Sequence, residues 1–284
     1  MKTITTTLAL LLLSTSASIA QDTAAQTAPT EATSTSAEAM ETPDMALYRF
    51  TCGNVMVSDL NIFSDTEAYT GQQKELTVSC YVIKKGDNIL LWDTGLPSGL
   101  AENPDGMVSG VFTLKLKETI TQQLEKIGLT PDKITHLGLS HAHFDHAGNV
   151  NMFKNAKLII QQAEYDFLTQ TPEDARIHHA DPAHLSYFLD KNNEEQLQII
   201  NGDTDLFGDG SVKTISLPGH TPGQMALKVT LPESGVYILS GDQWHFNENR
   251  QHNGVPTFNY NRADTLASSD KLNRIIKNTN ATLL

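Results

Sequence analysis

The sequence predicts an α/β fold in which two β-sheets are sandwiched between helices. Runs of β-branched and aromatic residues are followed by a segment with helical apolar spacing, and this order of strands, helix and strands occurs twice. Residues 45–284, 240 in all, contain no break rich in Pro, Gly and Ser, so we expect one large domain there. No sequence repeat at a fixed period is present.

The first predicted elements of this domain are strands. Met45–Phe50, Thr77–Lys84 and Asn88–Trp92 are short apolar runs rich in β-branched or aromatic residues. Gly86 and Asp87 join the last two runs as a hairpin. The domain therefore begins with β structure.

A helix is predicted next. Ile120, Leu124 and Ile127 recur at helical spacing, and Gly128 followed by Pro131 ends the helix. The predicted later elements are strands at Ile134–Leu139, Lys157–Gln161, Gln198–Ile200, Val212–Leu217, Met225–Thr230 and Val236–Ser240, a helix at Ala263–Asn278 and the start of a further strand at Ala281–Leu284.

The first twenty residues have the features of a secretory signal peptide. Lys2 precedes the apolar run Leu8–Leu13, and Ser18 and Ala20 provide small residues before Gln21. We expect cleavage after Ala20 and a periplasmic or secreted protein. The alternative is an uncleaved membrane anchor, but this run is too short to cross a bilayer as a permanent helix.

Residues 21–44 are predicted to be a disordered linker. They contain five acids, no basic residue and no aromatic residue. Such a segment cannot bury enough apolar surface to offset the entropy lost on ordering.

The charge of the chain disfavours two classes of partner. The formal net charge is -13, and no cluster of Lys and Arg is present. Nucleic acid and anionic membrane surfaces are therefore not expected partners, and we expect no stable membrane insertion.

Cys52 and Cys80 are the only cysteines in the sequence. In an oxidising compartment they could form a disulfide, since both lie in predicted β structure near the start of the domain. Two buried thiols are the alternative. A metal role is disfavoured because a CxxC-type spacing is absent.

Residues 140–149 contain a dense group of potential metal ligands. His141, His143, Asp145 and His146 lie within six residues, just beyond the end of a predicted strand. Imidazole and carboxylate together suit a borderline cation such as zinc, and four such groups so close together suit two ions better than one. The alternative, polar loop residues bonded to water or backbone, is disfavoured by this spacing.

Two further candidates follow later strands. His220 lies in the turn Pro-Gly-His-Thr-Pro-Gly, where proline and glycine fix the direction of the imidazole. Asp242 follows the strand predicted at Val236–Ser240, in the sequence Ser-Gly-Asp. Alone, either residue would be an ordinary turn residue. Their order after the histidine cluster favours a shared metal site.

This series of motifs resembles the metallo-β-lactamase superfamily over residues 45–284. The resemblance implies the αβ/βα four-layer sandwich known as the metallo-β-lactamase fold, with two mixed β-sheets flanked by helices and a di-zinc site at one edge. It also implies that one Zn²⁺ is held by His141, His143 and His220, that a second Zn²⁺ is held by Asp145 and His146, and that Asp242 bridges them. Asp93 resembles the family's aspartate that accepts a hydrogen bond from a ligating histidine.

Within this superfamily, the chain is similar to the secreted N-acyl-homoserine lactonase-like hydrolases. The similarity lies in Ala147-Gly148-Asn149, in Gly223-Gln224-Met225, and in residues 241–245 and 255–259. It implies a quorum-quenching lactonase that opens the ring of N-acyl-homoserine lactones with a hydroxide shared by two zinc ions. The expected partner is a small acyl lactone, and the sequence is compatible with a homodimer.

The resemblance also suggests catalytic roles for two residues. Asp145 could hold the attacking water or move its proton. His245 stands where lactonases of this type carry a tyrosine, and could contact the carbonyl or the leaving oxygen; the alternative is an ordinary loop histidine. The residues expected to line a groove for the acyl chain are Met107, Val108, Val111, Phe112, Trp244 and Phe246.

Two other functions stay open at this point. One is a different di-zinc hydrolase of the same fold, acting on β-lactams, organophosphates or phosphodiesters. The other is an exported, non-catalytic metal-binding protein. The family supplies one more ligating histidine after a strand that would begin at Ala281, whereas this sequence ends at Leu284. We therefore expect a copy truncated in mid-strand.

Overall fold

Two β-sheets lie face to face in the computed structural model, which describes residues 44–284, and helices pack on their outer faces. This arrangement confirms the predicted sandwich. The thirteen strands of the described part of the chain divide into a sheet of eight and a sheet of five.

The larger sheet is mixed. Its strands are β1 Met45–Val57, β2 Lys74–Lys85, β3 Asn88–Trp92, β4 Met107–Ser109, β5 Phe112–Lys115, β6 His136–Gly138, β7 Lys157–Gln161 and β8 Leu197–Ile200. Their order in the sheet is β4-β5-β1-β2-β3-β6-β7-β8. Neighbours among the first five strands in this order are antiparallel, whereas β3, β6, β7 and β8 run parallel.

The smaller sheet has the order β13-β12-β11-β10-β9. Its pairs are antiparallel except for β12 and β13, which run parallel. Its strands are β9 Thr204–Asp205, β10 Val212–Ser216, β11 Met225–Leu231, β12 Gly235–Leu239 and β13 Thr282–Leu283. The helices of the described chain are α1 Ile120–Lys126, α2 Phe144–Ala147, α3 Gln162–Gln170, α4 Pro172–Ile177, α5 Ser186–Leu189, α6 Asn247–Gln251 and α7 Arg262–Thr279.

Alternation of side chains along the strands explains the layers. In β3, Leu90 and Trp92 pack between the two sheets, while Leu91 packs on the opposite face with the helices. In β11, Leu227 points between the sheets and Ala226 packs toward α7. Because both faces of these strands are buried, their sequences are continuous apolar runs instead of alternating ones.

Most predicted elements are confirmed, with two notable differences. The β1 strand is longer than predicted, because it continues through Thr51–Val57 as the partner of β2 and β5. The segment around Met107 and Phe112, where no strand was predicted, forms the β4–β5 hairpin at the edge of the larger sheet. Short edge strands give a weak apolar pattern, which explains why the sequence did not reveal them.

Cys52 and Cys80 form a disulfide between β1 and β2. This settles the alternatives that the sequence left open. Gly95 packs against it so closely that an added Cβ would lie 2.3 Å from Cys52 Cβ, and the Leu96 N–H donates to the Cys52 carbonyl at 3.0 Å. The disulfide therefore supports the loop that follows β3.

The predicted signal peptide, and all but the last residue of the predicted linker, lie outside the described residues. Within residues 44–284, no helix combines the length and apolar character that a membrane span requires.

Candidate metal centre

The six predicted ligands come together at one end of the two sheets. His141 follows β6, and His143 precedes the first turn of α2. His220 lies in the turn between β10 and β11, and Asp242 follows β12. Strand ends from both sheets thus meet here, and rigid strands hold each loop that carries a ligand.

The ligand atoms form two groups that share Asp242. The first group contains His141, His143, His220 and Asp242, and the second contains Asp145, His146 and Asp242; in each group the ligand atoms lie within 4.8 Å of one another. The two oxygens of Asp242 divide between the groups, because Oδ2 is 3.5 Å from His220 Nε2 and Oδ1 is 3.1 Å from His146 Nε2.

These separations fit a metal site. Ligand atoms about 2.0–2.1 Å from a tetrahedral zinc ion are separated by about 3.4 Å. In the first group, His220 Nε2 is 3.1 Å from His143 Nδ1, and His141 Nε2 is 3.8 Å from Asp242 Oδ2. His141 Nε2 is buried and has no hydrogen-bond partner within the described part of the chain. Neutral nitrogens and carboxylates are the donor set that zinc and similar divalent ions accept.

Burial keeps the imidazoles of the first group neutral. Desolvation lowers the pKa of His141 and His220 well below the usual value, and lowers the pKa of His143 to about 3. A histidine must lose its proton to bind a metal ion. These three residues are therefore in the binding form throughout the neutral range.

His146 and Asp242 form a charge pair instead. Burial alone would lower the pKa of His146, but the carboxylates of Asp242, Asp145 and Asp93 outweigh it and raise that pKa well above the usual value. Burial would likewise raise the pKa of Asp242, but His146 and His245 outweigh it and lower that pKa. The imidazole of His146 and the carboxylate of Asp242, 3.1 Å apart, therefore attract each other strongly.

Asp93 orients His146 from behind. Asp93 Oδ2 lies 2.9 Å from His146 Nδ1, and the Ser140 N–H and hydroxyl donate to the same carboxylate at 2.7 and 2.8 Å. Asp93 is buried and has a φ of +59°, in the left-handed region that is rare for a residue with a side chain. A strained backbone at such a position is common in functional sites.

Asp145 and His245 face the cavity next to the cluster. Asp145 Oδ2 is 3.8 Å from His146 Nε2, and burial raises the pKa of the Asp145 carboxyl. His245 Nε2 is 3.2 Å from Asp242 Oδ2, and the His245 ring packs 4.4 Å from the ring of Phe63, centroid to centroid. His245 Nδ1 is also buried, and it has no hydrogen-bond partner among the described residues.

Glu164 is a structural link that the sequence did not reveal. This buried residue of α3 accepts hydrogen bonds from the Ala142 N–H at 2.8 Å, the Thr221 hydroxyl at 2.7 Å and the Gly223 N–H at 2.9 Å. It therefore joins the loop of His141 and His143 to the loop of His220. Burial raises the pKa of this carboxyl. The sequence did not reveal Glu164 because helix α3 was not predicted, and a single glutamate outside any motif forms no recognisable pattern.

A cavity of about 1140 Å³ opens beside the cluster. Asp145, His146, Asp242 and His245 lie in its wall. The greater part of the remaining wall is apolar, but it also includes the charged side chains of Arg49, Lys74, Glu75, Glu248 and Arg250. Four of the residues expected to line an acyl groove do so: Val111, Phe112, Trp244 and Phe246. The expectation is wrong for Met107 and Val108, which lie outside the wall; both are exposed on β4, whose side chains at this edge turn to solvent.

Comparisons of this chain with known proteins agree on one family. The sequence pattern that describes the metallo-beta-lactamase superfamily matches residues 74–282. An N-acyl homoserine lactonase from a Bacillus species is 28% identical over 237 residues, which are 81% of this chain and 88% of that protein. The N-acyl homoserine lactonase AttM of Rhizobium johnstonii is 28% identical over 250 residues, which are 85% of this chain and 92% of that protein.

A solved structure has the same arrangement of strands and helices. It is that of an N-acyl homoserine lactone hydrolase with the product N-hexanoyl-L-homoserine bound at the catalytic metal center. The TM-score is 0.69 at 26% sequence identity, and the match covers 84% of this chain and 91% of that chain.

Proposed function

The chain belongs to the metallo-beta-lactamase superfamily and has its fold, and we propose that it is a zinc-dependent hydrolase that opens the lactone ring of N-acyl-homoserine lactones. The observation that carries the proposal is the position of Asp242, whose two oxygens join two ligand groups at the wall of a largely apolar cavity. The relatives named N-acyl homoserine lactonase support the substrate class.

We assign one zinc ion to each ligand group. The first would be held by His141, His143 and His220, the second by Asp145 and His146, and Asp242 would contribute one oxygen to each. Two such ions supply a nucleophile from water at neutral pH and act as Lewis acids toward a carbonyl and a leaving oxygen. No serine or cysteine nucleophile is then needed.

The chain's own residues would position the substrate and move the proton. Asp145 faces the cavity, so its carboxylate can accept a proton as the water oxygen bonds to the lactone carbonyl carbon. The ring C–O bond then breaks, and Asp145 returns the proton to the departing alkoxide oxygen. His245 lies in the cavity wall beside Asp242 and would donate a hydrogen bond to the carbonyl or the leaving oxygen.

The apolar wall supports an acyl substrate. Phe63 contacts Phe112, Phe246 and Phe258 at ring-centroid distances of 5.7–6.4 Å, and all four rings line the cavity. Burying an alkyl chain against such a surface contributes about 0.8 kcal/mol per CH₂ group. The polar ring of the substrate would then lie at the ligand cluster.

A substrate panel tests this proposal directly. The full chain, purified with its bound metal, would be incubated with N-decanoyl-homoserine lactone, a β-lactam, a phosphotriester and a phosphodiester, and the products identified by mass spectrometry. We expect the lactone to gain one water and form N-decanoyl-homoserine fastest. Faster turnover of another class would favour a different hydrolase of this fold, and no turnover of any class would favour a metal-binding protein without activity.

We also propose that the protein is exported to the periplasm or secreted. The signal-like sequence at residues 1–20 and the disulfide support this, because disulfides persist in oxidising compartments. Expression of the full chain followed by fractionation would test it. The mature N-terminus should be Gln21, and protein retained in the cytoplasm with Met1 intact would contradict export.

A further inference from the structure

We propose that His179 is a substrate-positioning residue that hydrogen-bonds the amide group of the N-acyl-homoserine lactone. This inference rests on the proposed function and names a contact that the metal ligands do not provide. It is carried by two independent features of His179, its backbone conformation and its place in the cavity.

The backbone of His179 is in a conformation that favours glycine. Its φ is +64°, and it follows His178, the C-cap residue of α4. The His179 N–H donates to the Arg176 carbonyl, and the Ala180 N–H donates to the Ala175 carbonyl at 2.9 Å. This is the hydrogen-bond pattern of a helix end closed by a left-handed residue, which is usually Gly and sometimes Asn. A histidine here is unfavourable for folding, so a role of its side chain would explain its presence.

His179 is solvent-exposed, and its side chain lines the cavity beside the first ligand group. Its ring lies 6.3 Å from the ring of His143 and 6.2 Å from that of Phe258, centroid to centroid. The other histidines in the cavity wall are His143, His146 and His245. Those three belong to the ligand groups that share Asp242 or contact its carboxylate. His179 instead lies between the ring of His143 and the ring of Phe258.

The substrate has an amide close to its reacting group. In an N-acyl-homoserine lactone, the amide nitrogen is attached to the carbon next to the ring carbonyl, so it lies two bonds from the carbonyl carbon that is attacked. An amide that enters the cavity loses part of its hydration, so a hydrogen-bond partner in the wall favours binding. A ring nitrogen of His179 can donate to the amide C=O or accept from the amide N–H.

The test compares two lactones that carry a chain of the same length on the same ring carbon and differ in the amide. N-decanoyl-homoserine lactone contains the amide, and α-undecyl-γ-butyrolactone has two CH₂ groups in its place. The variant is His179→Gly, which suits the left-handed backbone and removes the imidazole. The matched control is Asn280→Gly, which replaces another left-handed residue at a helix end, the C-terminus of α7. Both variants should stay folded, melt at or above the temperature of the unaltered chain, and bind as much metal.

For His179→Gly, we expect the KM for N-decanoyl-homoserine lactone to rise about tenfold with little change in kcat, because one hydrogen bond made equally in the bound and transition states is lost. The kcat/KM for α-undecyl-γ-butyrolactone should stay within about twofold of the unaltered chain, as should the kcat/KM values of Asn280→Gly for both lactones.

An equal loss on both lactones, or no loss on either, would overturn the assignment of His179 while leaving the proposed function intact. A different result identifies failure of the proposed function. If the unaltered chain opens α-undecyl-γ-butyrolactone but not N-decanoyl-homoserine lactone, or opens neither, the substrate class is wrong and the role of His179 falls with it.

Discussion

Asp93 Oδ2 lies 2.9 Å from His146 Nδ1, so a single buried carboxylate fixes the direction in which His146 presents Nε2 to Asp145 and Asp242. The same carboxylate accepts from the Ser140 N–H and hydroxyl. It therefore fixes the start of the histidine loop as well as the ring of His146.

Asp93→Asn should weaken metal binding about 10–100-fold, because partners that orient ligating histidines contribute that much to affinity. Competition with a fluorescent zinc chelator measures the effect. Asp87→Asn, on the exposed turn between β2 and β3, is the matched control and should leave affinity unchanged. Equal affinity for Asp93→Asn and the unaltered chain would contradict the orienting role of Asp93.

Glu164 joins the two loops that carry the first ligand group. In Glu164→Gln, a side-chain NH₂ group replaces one of the two carboxylate oxygens. This NH₂ group would face either the Ala142 N–H or the Thr221 and Gly223 donors, so at least one buried donor would lose its acceptor. The free energy of unfolding should fall by about 1–3 kcal/mol. Urea denaturation of the metal-free chain checks this, with Glu125→Gln on the exposed face of α1 as control. A change no larger than that of the control would show that the link is dispensable.

The stability of the metal-free chain should fall as the pH drops below about 6.5. Burial lowers the pKa of His143 to about 3, so between pH 6.5 and 3 the unfolded chain binds a proton at this residue that the folded chain does not. Stability therefore rises with pH in this window, by about 1.4 kcal/mol per pH unit for one such group. His146, whose pKa is raised, is protonated in both states there and adds nothing.

Urea denaturation at pH 6.5 and 4.5 tests this sign, with His143→Gln as the comparison. Between these two values the unaltered chain should lose about 2–3 kcal/mol more than the variant. An equal loss in both chains would mean that His143 does not remain neutral in the folded protein.

The disulfide between Cys52 and Cys80 should stabilise the fold and, through Gly95, the loop of Asp93. It closes a loop with a sequence separation of 28 residues, and such a cross-link typically contributes about 2–4 kcal/mol. Reduction should lower the urea midpoint of the unaltered chain, and should have no effect on the double variant Cys52→Ala/Cys80→Ala. A midpoint that reductant leaves unchanged in the unaltered chain would contradict this.

The sequence predicted the ligand cluster and most strands because their signals are local. His141 to His146 lie within one loop, and continuous apolar runs such as Asn88–Trp92 and Lys157–Gln161 were found with the observed bounds. His220 and Asp242 were recognised through their order in the chain relative to that loop. The structure then places them around a common point.

Other features depend on contacts between distant segments and left no local pattern. Glu164 lies in α3, a helix whose apolar face is too short to be recognised, and only the fold brings it to Ala142 and Thr221. His179 and the β4–β5 hairpin are similar cases. A single polar residue after a short helix, and strands of three or four residues, are recognised only once their neighbours in space are known.

The most direct test of the central claim is bound metal and lactone hydrolysis measured on the same samples of the unaltered chain and of His143→Ala. We expect about two zinc ions per unaltered chain, and hydrolysis of N-decanoyl-homoserine lactone that is lost on chelation and restored by added zinc. In His143→Ala, bound zinc should decrease and hydrolysis should fall at least about 100-fold, with the circular dichroism spectrum unchanged. Undiminished hydrolysis by His143→Ala, or by the chelated unaltered chain, would contradict a metal-dependent mechanism at this site.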